Sequence, residues 1–170
     1  KEYKSKWMAN VDLGGGTDKR YVGKVFATNF TDRRRTAVYA QMNNICQNQQ
    51  VDANGNWSYW SDGRFGLFDY RKAGMIMQWD NGKANKEAGN LRGNANIDVY
   101  HNNMFYNTLN NSENFLGGGN TQYTYAKNIT DDREAGVNAR AKITYNIDSI
   151  NRLYFGAQYA YQNGGSDKEG

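Results

Sequence analysis

The sequence predicts an all-β fold, an antiparallel meander of about seven to eight strands that is part of, or closes into, a β-barrel. Three observations predict it. Proline is absent, while Gly occurs 19 times and Asn 24 times in 170 residues. A strand hydrogen-bonded on both sides cannot spare the N–H that proline lacks, and Gly and Asn supply the positive-φ positions of tight turns. Aromatic residues reach 14%, with 13 Tyr, and such rings suit pleated, half-buried surfaces. Finally, several stretches alternate apolar and polar residues one by one, which sends successive side chains to opposite faces of a sheet.

The elements follow in chain order. Trp7, Ala9, Val11 and Leu13 alternate with Met8, Asn10 and Asp12. Residues 20–30 and 36–44 read as strands, joined by a turn at Thr31-Asp32-Arg33-Arg34, and Gly14-Gly15-Gly16-Thr17-Asp18-Lys19 reads as the turn before them. Residues 45–71 read as a long loop with its own packed tip, and residues 72–80 as a strand. Leu91, Gly93, Ala95, Ile97 and Val99 interleave with Arg92, Asn94, Asn96, Asp98 and Tyr100. Val137, Ala139, Ala141, Ile143, Tyr145 and Ile147 interleave with Asn138, Arg140, Lys142, Thr144 and Asn146. Between these two ribbons, residues 102–134 read as extended strand tips joined at Gly117-Gly118-Gly119-Asn120. Asp148-Ser149-Ile150-Asn151 is a turn, and 153–161 a last strand before the polar run Gly164-Gly165-Ser166-Asp167-Lys168-Glu169. The whole of 1–170 is one β-barrel-type domain or barrel fragment, and the missing leader before Lys1-Glu2-Tyr3-Lys4 suggests a piece of a longer protein.

Mean hydropathy is −0.94 and no apolar run is long enough for a membrane helix, yet a barrel strand needs an apolar residue only at alternate positions. The net charge of +4 is spread along the chain. Its basic cluster, Lys19-Arg20 with Arg33-Arg34-Arg35, sits at turns and lacks the continuous stripe that nucleic acid demands, so no nucleic-acid partner is expected.

Catalytic and metal chemistry find little support. Cys46 is alone and His101 is the single histidine, expected at a strand end, so histidine-cluster metal sites and a Ser-His-Asp hydrolase have no basis. The triple glycines precede no Gly-Lys-Ser/Thr. Asp52-Ala53-Asn54-Gly55-Asn56 starts like a calcium loop, but Trp57 stands where a sharp turn needs Gly, so a turn-forming loop is the better reading. Asp131-Asp132 and Glu134 are expected as solvated acids at a polar turn rather than a glycosidic pair. The expectation is therefore no enzyme, no cofactor and no bound metal.

Aromatics leave three readings for the 57–70 segment: stacking on sugars, an interfacial membrane girdle, or packing within the loop. Trp57, Tyr59, Trp60, Phe65 and Tyr70 are the candidate ligand-binding residues. The polar members of the two ribbons, Asn94, Asn96, Asp98, Asn138, Arg140 and Lys142, are expected to face a lumen.

The opening run from Glu2 to Tyr21, with Asn29-Phe30-Thr31-Asp32, Asn43-Asn44-Ile45, Asn90-Leu91-Arg92-Gly93-Asn94-Ala95 and Tyr145-Asn146-Ile147-Asp148, resembles the barrel strands of Bacteroidetes TonB-dependent receptors. The resemblance implies a bacterial outer-membrane protein for nutrient uptake, embedded in outer-membrane lipid. Its remaining partners would be a plug domain, an energy-coupling protein, and an oligosaccharide or other nutrient at the cell-surface loops. It puts residues 31–34, 81–90 and 148–151 on the periplasmic side and 45–71 outside, and an isolated fragment with open edges would tend to oligomerise. The rival expectation is a soluble β-sandwich or barrel that binds carbohydrate through Trp57, Tyr59 and Trp60.

Overall fold

A computed structural model describes residues 5–45, 47–60, 67–116 and 118–169. Among these the strands are β1 (Lys6–Gly15), β2 (Tyr21–Phe30), β3 (Arg34–Asn43), β4 (Asn48–Val51), β5 (Trp57–Trp60), β6 (Leu67–Asp80), β7 (Leu91–Leu116), β8 (Asn120–Asn146) and β9 (Arg152–Glu169). Seven of them form one antiparallel sheet in the order β1-β2-β3-β6-β7-β8-β9, while β4 and β5 make a separate hairpin. The meander is as the alternation predicts, and the sheet is open rather than closed into a barrel.

Its register turns the alternation of single strands into rows that cross the whole sheet. One row runs Val11, Val25, Ala40, Ala73, Val99, Val137, Tyr161, and the next runs Ala9, Ala27, Val38, Met75, Ile97, Ala139, Tyr159. Every member is apolar or aromatic. The opposite face carries Asn10, Phe26, Tyr39, Gly74, Asp98, Asn138, Ala160 in one row and Met8, Thr28, Ala37, Ile76, Asn96, Arg140, Gln158 in the next.

Burial inverts the pattern of a water-soluble sheet. The apolar face is bare: Trp7 is 74% exposed, Leu13 77% and Phe155 65%. The mixed face is the covered one, because the β4–β5 hairpin lies on it. Phe26, Ala37, Tyr39 and Val51 are buried together, with Trp57 and Ile76 packed against them. A two-stranded hairpin of four-residue strands is marginal alone, so this docking is what holds it. The turn 52–56 is shaped for it: Gly55 has φ of 87°, and a Cβ there would sit 2.9 Å from the Phe26 ring.

Other elements differ from the sequence reading in definite ways. Gly14 and Gly15 belong to β1, opposite Val22 and Tyr21, and the left-handed positions of the following turn are Asp18 and Lys19, at φ 57° and 58°. Asp reaches that region through its short polar side chain, so the glycines are not needed there. The loop 45–71 shrinks, since it contains the β4–β5 hairpin and β6 already begins at Leu67. The polar run 164–169 is strand, because β8 offers it a ladder from Ile129 to Glu134. His101 lies within β7 rather than at its end, opposite Arg71 and Ala135. Asp131 and Asp132 lie inside β8, not in a turn, and point to opposite faces.

The 102–134 region follows its expected form, with β7 and β8 paired out to Leu116 and Asn120 and a turn carrying Gly118 and Gly119 at φ 89° and 85°. Among the described residues, β7 has no partner on its β6 side beyond Phe105, while its pairing with β8 continues to Leu116. The links 31–33, 81–90 and 147–151 share one end of the sheet, and the chain passes from β1 to β2, from β3 to β6 and from β7 to β8 at the other. Lys19-Arg20 and Arg33-Arg34-Arg35 therefore lie at opposite ends of β2 and form no single cluster.

Candidate ligand-facing surface

All six residues expected to face a lumen lie on the mixed face, in three cross-strand pairs: Asn94 with Lys142, Asn96 with Arg140, and Asp98 with Asn138. Asp98 is buried, and its Oδ2 lies 3.4 Å from Lys72 Nζ and accepts from Asn138 Nδ2 at 3.2 Å. A buried carboxylate needs such partners, so Asp98 is structurally committed. Arg140 and Lys142 remain exposed.

The expected aromatic site separates into different roles. Trp57 is half-buried, edge-on to Tyr39 with ring centroids 6.4 Å apart. Lys24 Nζ stands 5.5 Å from the Trp57 ring centroid and 4.8 Å from that of Tyr59, and donates to Tyr59 Oη at 2.6 Å. Of the three readings of these aromatics, Trp57 takes packing, though against the sheet instead of within the loop. Tyr59 is held by Lys24 yet more than half exposed. Tyr70 belongs to β6 and stacks on Phe68 at 5.8 Å. The backbone of Trp60 ends β5, its side chain is outside the description, and Phe65 lies outside the described residues altogether.

Polar contacts complete the hairpin's seat. Gln41 Nε2 donates to the Gln49 carbonyl at 2.7 Å, Asn43 Nδ2 to the Gln47 carbonyl at 2.9 Å, and Arg35 to Asn54 Oδ1. Within the turn, Asp52 Oδ1 accepts from the N–H groups of Asn54 and Asn56 at 2.8 and 2.9 Å, and Oδ2 from Asn56 Nδ2 at 2.9 Å. Those bonds, led by the Asn56 N–H, hold its carboxyl below the usual carboxylate range. Its oxygens are spent on turn formation, which is the turn-forming reading of the 52–56 motif.

Two shallow grooves of about 620 and 660 Å³ run along the mixed face near the end that carries links 31–33, 81–90 and 147–151, and share Asn94, Lys142 and Tyr154. Arg35 and Arg92 line the first, Arg140 and Gln158 the second. The sequence reading missed Arg35, Tyr154 and Gln158 as surface partners, because β3 and β9 alternate loosely. Arg92 was within reach, since it opens the polar half of the β7 alternation.

The fold defines a class, an open antiparallel sheet with one bare apolar face and one partly covered polar face. No protein-family model matches the chain, and no curated protein or solved structure matches it.

Proposed function

We propose that the chain is a stretch of an outer-membrane β-barrel of the TonB-dependent receptor type, serving nutrient uptake. The apolar face meets lipid, the polar face looks into the lumen, and the β4–β5 hairpin folds inward over it. One observation carries the reading: the apolar face lies open across the sheet, with large residues exposed on β1, β2, β3, β6, β7 and β9 and Val137 and Ala139 of β8 half-buried, while the polar face carries the docked hairpin. A water-soluble sheet buries its apolar face, and contiguous bare patches of this kind mark lipid or protein contact.

Dimensions support lipid. The apolar set from Leu91 to Val99 spans about 27 Å along β7, or about 21 Å along the membrane normal at the usual barrel tilt, near the height of a barrel's apolar band. Above it the same face turns polar at Arg71, His101 and Arg133, and at its lower edge, in the rows of Gly93 and Leu91, Trp79, Phe155 and Tyr145 supply an aromatic border. One end carries the long β3–β6 connection and the ribbon of β7 and β8 that runs on past β6, while the other carries links of at most ten residues, an asymmetry like that of outer loops and periplasmic turns. Substrate binding and passage need no covalent step.

The test is refolding of the 170-residue chain from urea, with and without detergent micelles or lipid vesicles. β-structure and protease resistance are expected only with micelles or lipid. Single-Trp variants add the orientation: brominated lipid should quench Trp7 and leave Trp57 bright. A folded monomer in detergent-free buffer, or a Trp7 that lipid does not quench, overturns the reading.

A further inference from the structure

We propose that the basic groove on the polar face binds a small multivalent oxyanion, of the phosphate or polycarboxylate class. The groove is set by strand register: Arg140 and Lys142 are same-face neighbours on β8, about 7 Å apart along the strand. Arg92 stands one step below them on β7, opposite Thr144, and Arg35 closes the far side from β3. Asn94, Asn96 and Gln158 sit directly beside Lys142 and Arg140 and offer amide N–H groups between the charges.

What marks this cluster is an excess of positive charge: Arg33, Arg34, Arg35, Arg92 and Lys142 line the first groove against Asp32 and Asp80. Among the described residues, none of Arg35, Arg92, Arg140 and Lys142 is in an ion pair, whereas Lys24, Lys72, Arg71 and Arg133 all are. Asp98 is engaged with Lys72, and Asp80, on the groove wall opposite Arg92, accepts the Gly82 N–H at 2.7 Å. Asp32 lines the same groove from the exposed turn between β2 and β3. Lys142 is steadied with its Nζ 5.6 Å from the Tyr154 ring centroid. Beside it Gly156 contributes no side chain, and a Cβ there would touch only the Ala141 carbonyl at 3.9 Å, so the groove floor is clear where the charges converge. A guanidinium fork suits the paired oxygens of phosphate or carboxylate, and a ligand with two or more negative charges spans the 7 Å between Arg140 and Lys142.

The groove follows from register alone, so the proposal does not depend on what covers the apolar face. Calorimetric titration of the folded chain, in micelles or in buffer according to where it folds, uses pyrophosphate in one arm and citrate in the other. Saturable binding of at least one is expected. Arg140→Gln/Lys142→Gln should weaken it tenfold or more, while Lys127→Gln/Lys168→Gln, which removes the same charge from the other end of the sheet, should change it less than twofold. The arm that binds distinguishes phosphate from carboxylate. The proposal fails if neither anion saturates by about 10 mM, or if the two double variants weaken binding equally. A chain that folds only in micelles yet ignores both anions sinks this proposal and leaves the membrane reading standing.

Discussion

At the scale of single residues, the sheet depends on places where an aromatic ring lies over a glycine directly across the ladder. Trp79 faces Gly93, Tyr39 faces Gly74 and Tyr100 faces Gly136. A Cβ on Gly93 would come within 2.2 Å of the Trp79 ring, so the ring must move. Gly93→Ala is expected to destabilise the fold by about 1–3 kcal/mol, as overpacking does, read as a lower urea midpoint. The matching change Gly156→Ala meets only an ordinary contact with the Ala141 carbonyl at 3.9 Å and should be neutral or gain about 0.5–1 kcal/mol, because Ala loses less backbone freedom in a strand. Equal losses at both positions would contradict this account. A second residue-scale prediction concerns Asp148, whose Oδ1 accepts from the N–H groups of Asn151 and Ile150 at 2.6 and 2.7 Å. The Asn151 N–H, then its side chain, then the Ile150 N–H hold the carboxyl below its usual range. A depressed carboxylate stabilises fully above the ordinary value of about 4, and that contribution is lost as pH falls through the folded value. The urea midpoint of Asp148→Asn should therefore fall less between pH 5 and pH 2.5 than that of the parent chain, and identical acid limbs would argue against the turn's role.

At the scale of elements, legibility tracked how strictly polarity alternates. β7 and β8 were readable residue by residue because each apolar position has a polar neighbour on both sides, and their six expected inward residues do share one face. The β4–β5 hairpin was unreadable as hairpin: its docking depends on Phe26, Tyr39 and Gly55 meeting across distant parts of the chain, which no local pattern encodes. The aromatic candidates suffered for the same reason, since Trp57 packs on a sheet that its own segment does not contain. Alternation also supplies the element-scale prediction. Ala139 lies in an apolar row and Ala160 in a polar one. In micelles or vesicles, Ala139→Arg should cost about 2–4 kcal/mol of folding stability, the penalty of a cation on a lipid face, whereas Ala160→Arg should be close to neutral. On a sheet with water on both faces the two changes would have equal effects, so equal urea midpoints would remove lipid from the account of the apolar rows.

At the scale of the whole molecule, strand parity governs what the sheet can become. Seven strands in an antiparallel meander leave β1 and β9 running the same way, so joining those edges would require a parallel seam in an otherwise antiparallel ladder. Barrels of the bacterial outer-membrane kind are closed by an even number of antiparallel strands. Closure therefore calls for an odd number of further strands between β9 and β1, and the 170-residue chain by itself should stay open. Six intervals of about 4.8 Å set the two edge strands as much as about 29 Å apart across a flat sheet, less with curvature, against about 5 Å if they were paired. Spin labels on Ala9→Cys and Tyr159→Cys, with Cys46→Ser to leave no other thiol, sit in one cross-sheet row and report that distance. Pulsed dipolar spectroscopy on the chain folded in micelles should give a distribution centred well beyond 15 Å. A narrow distribution at contact distance would mean that the edges join in parallel, and the requirement for additional strands would fall with it.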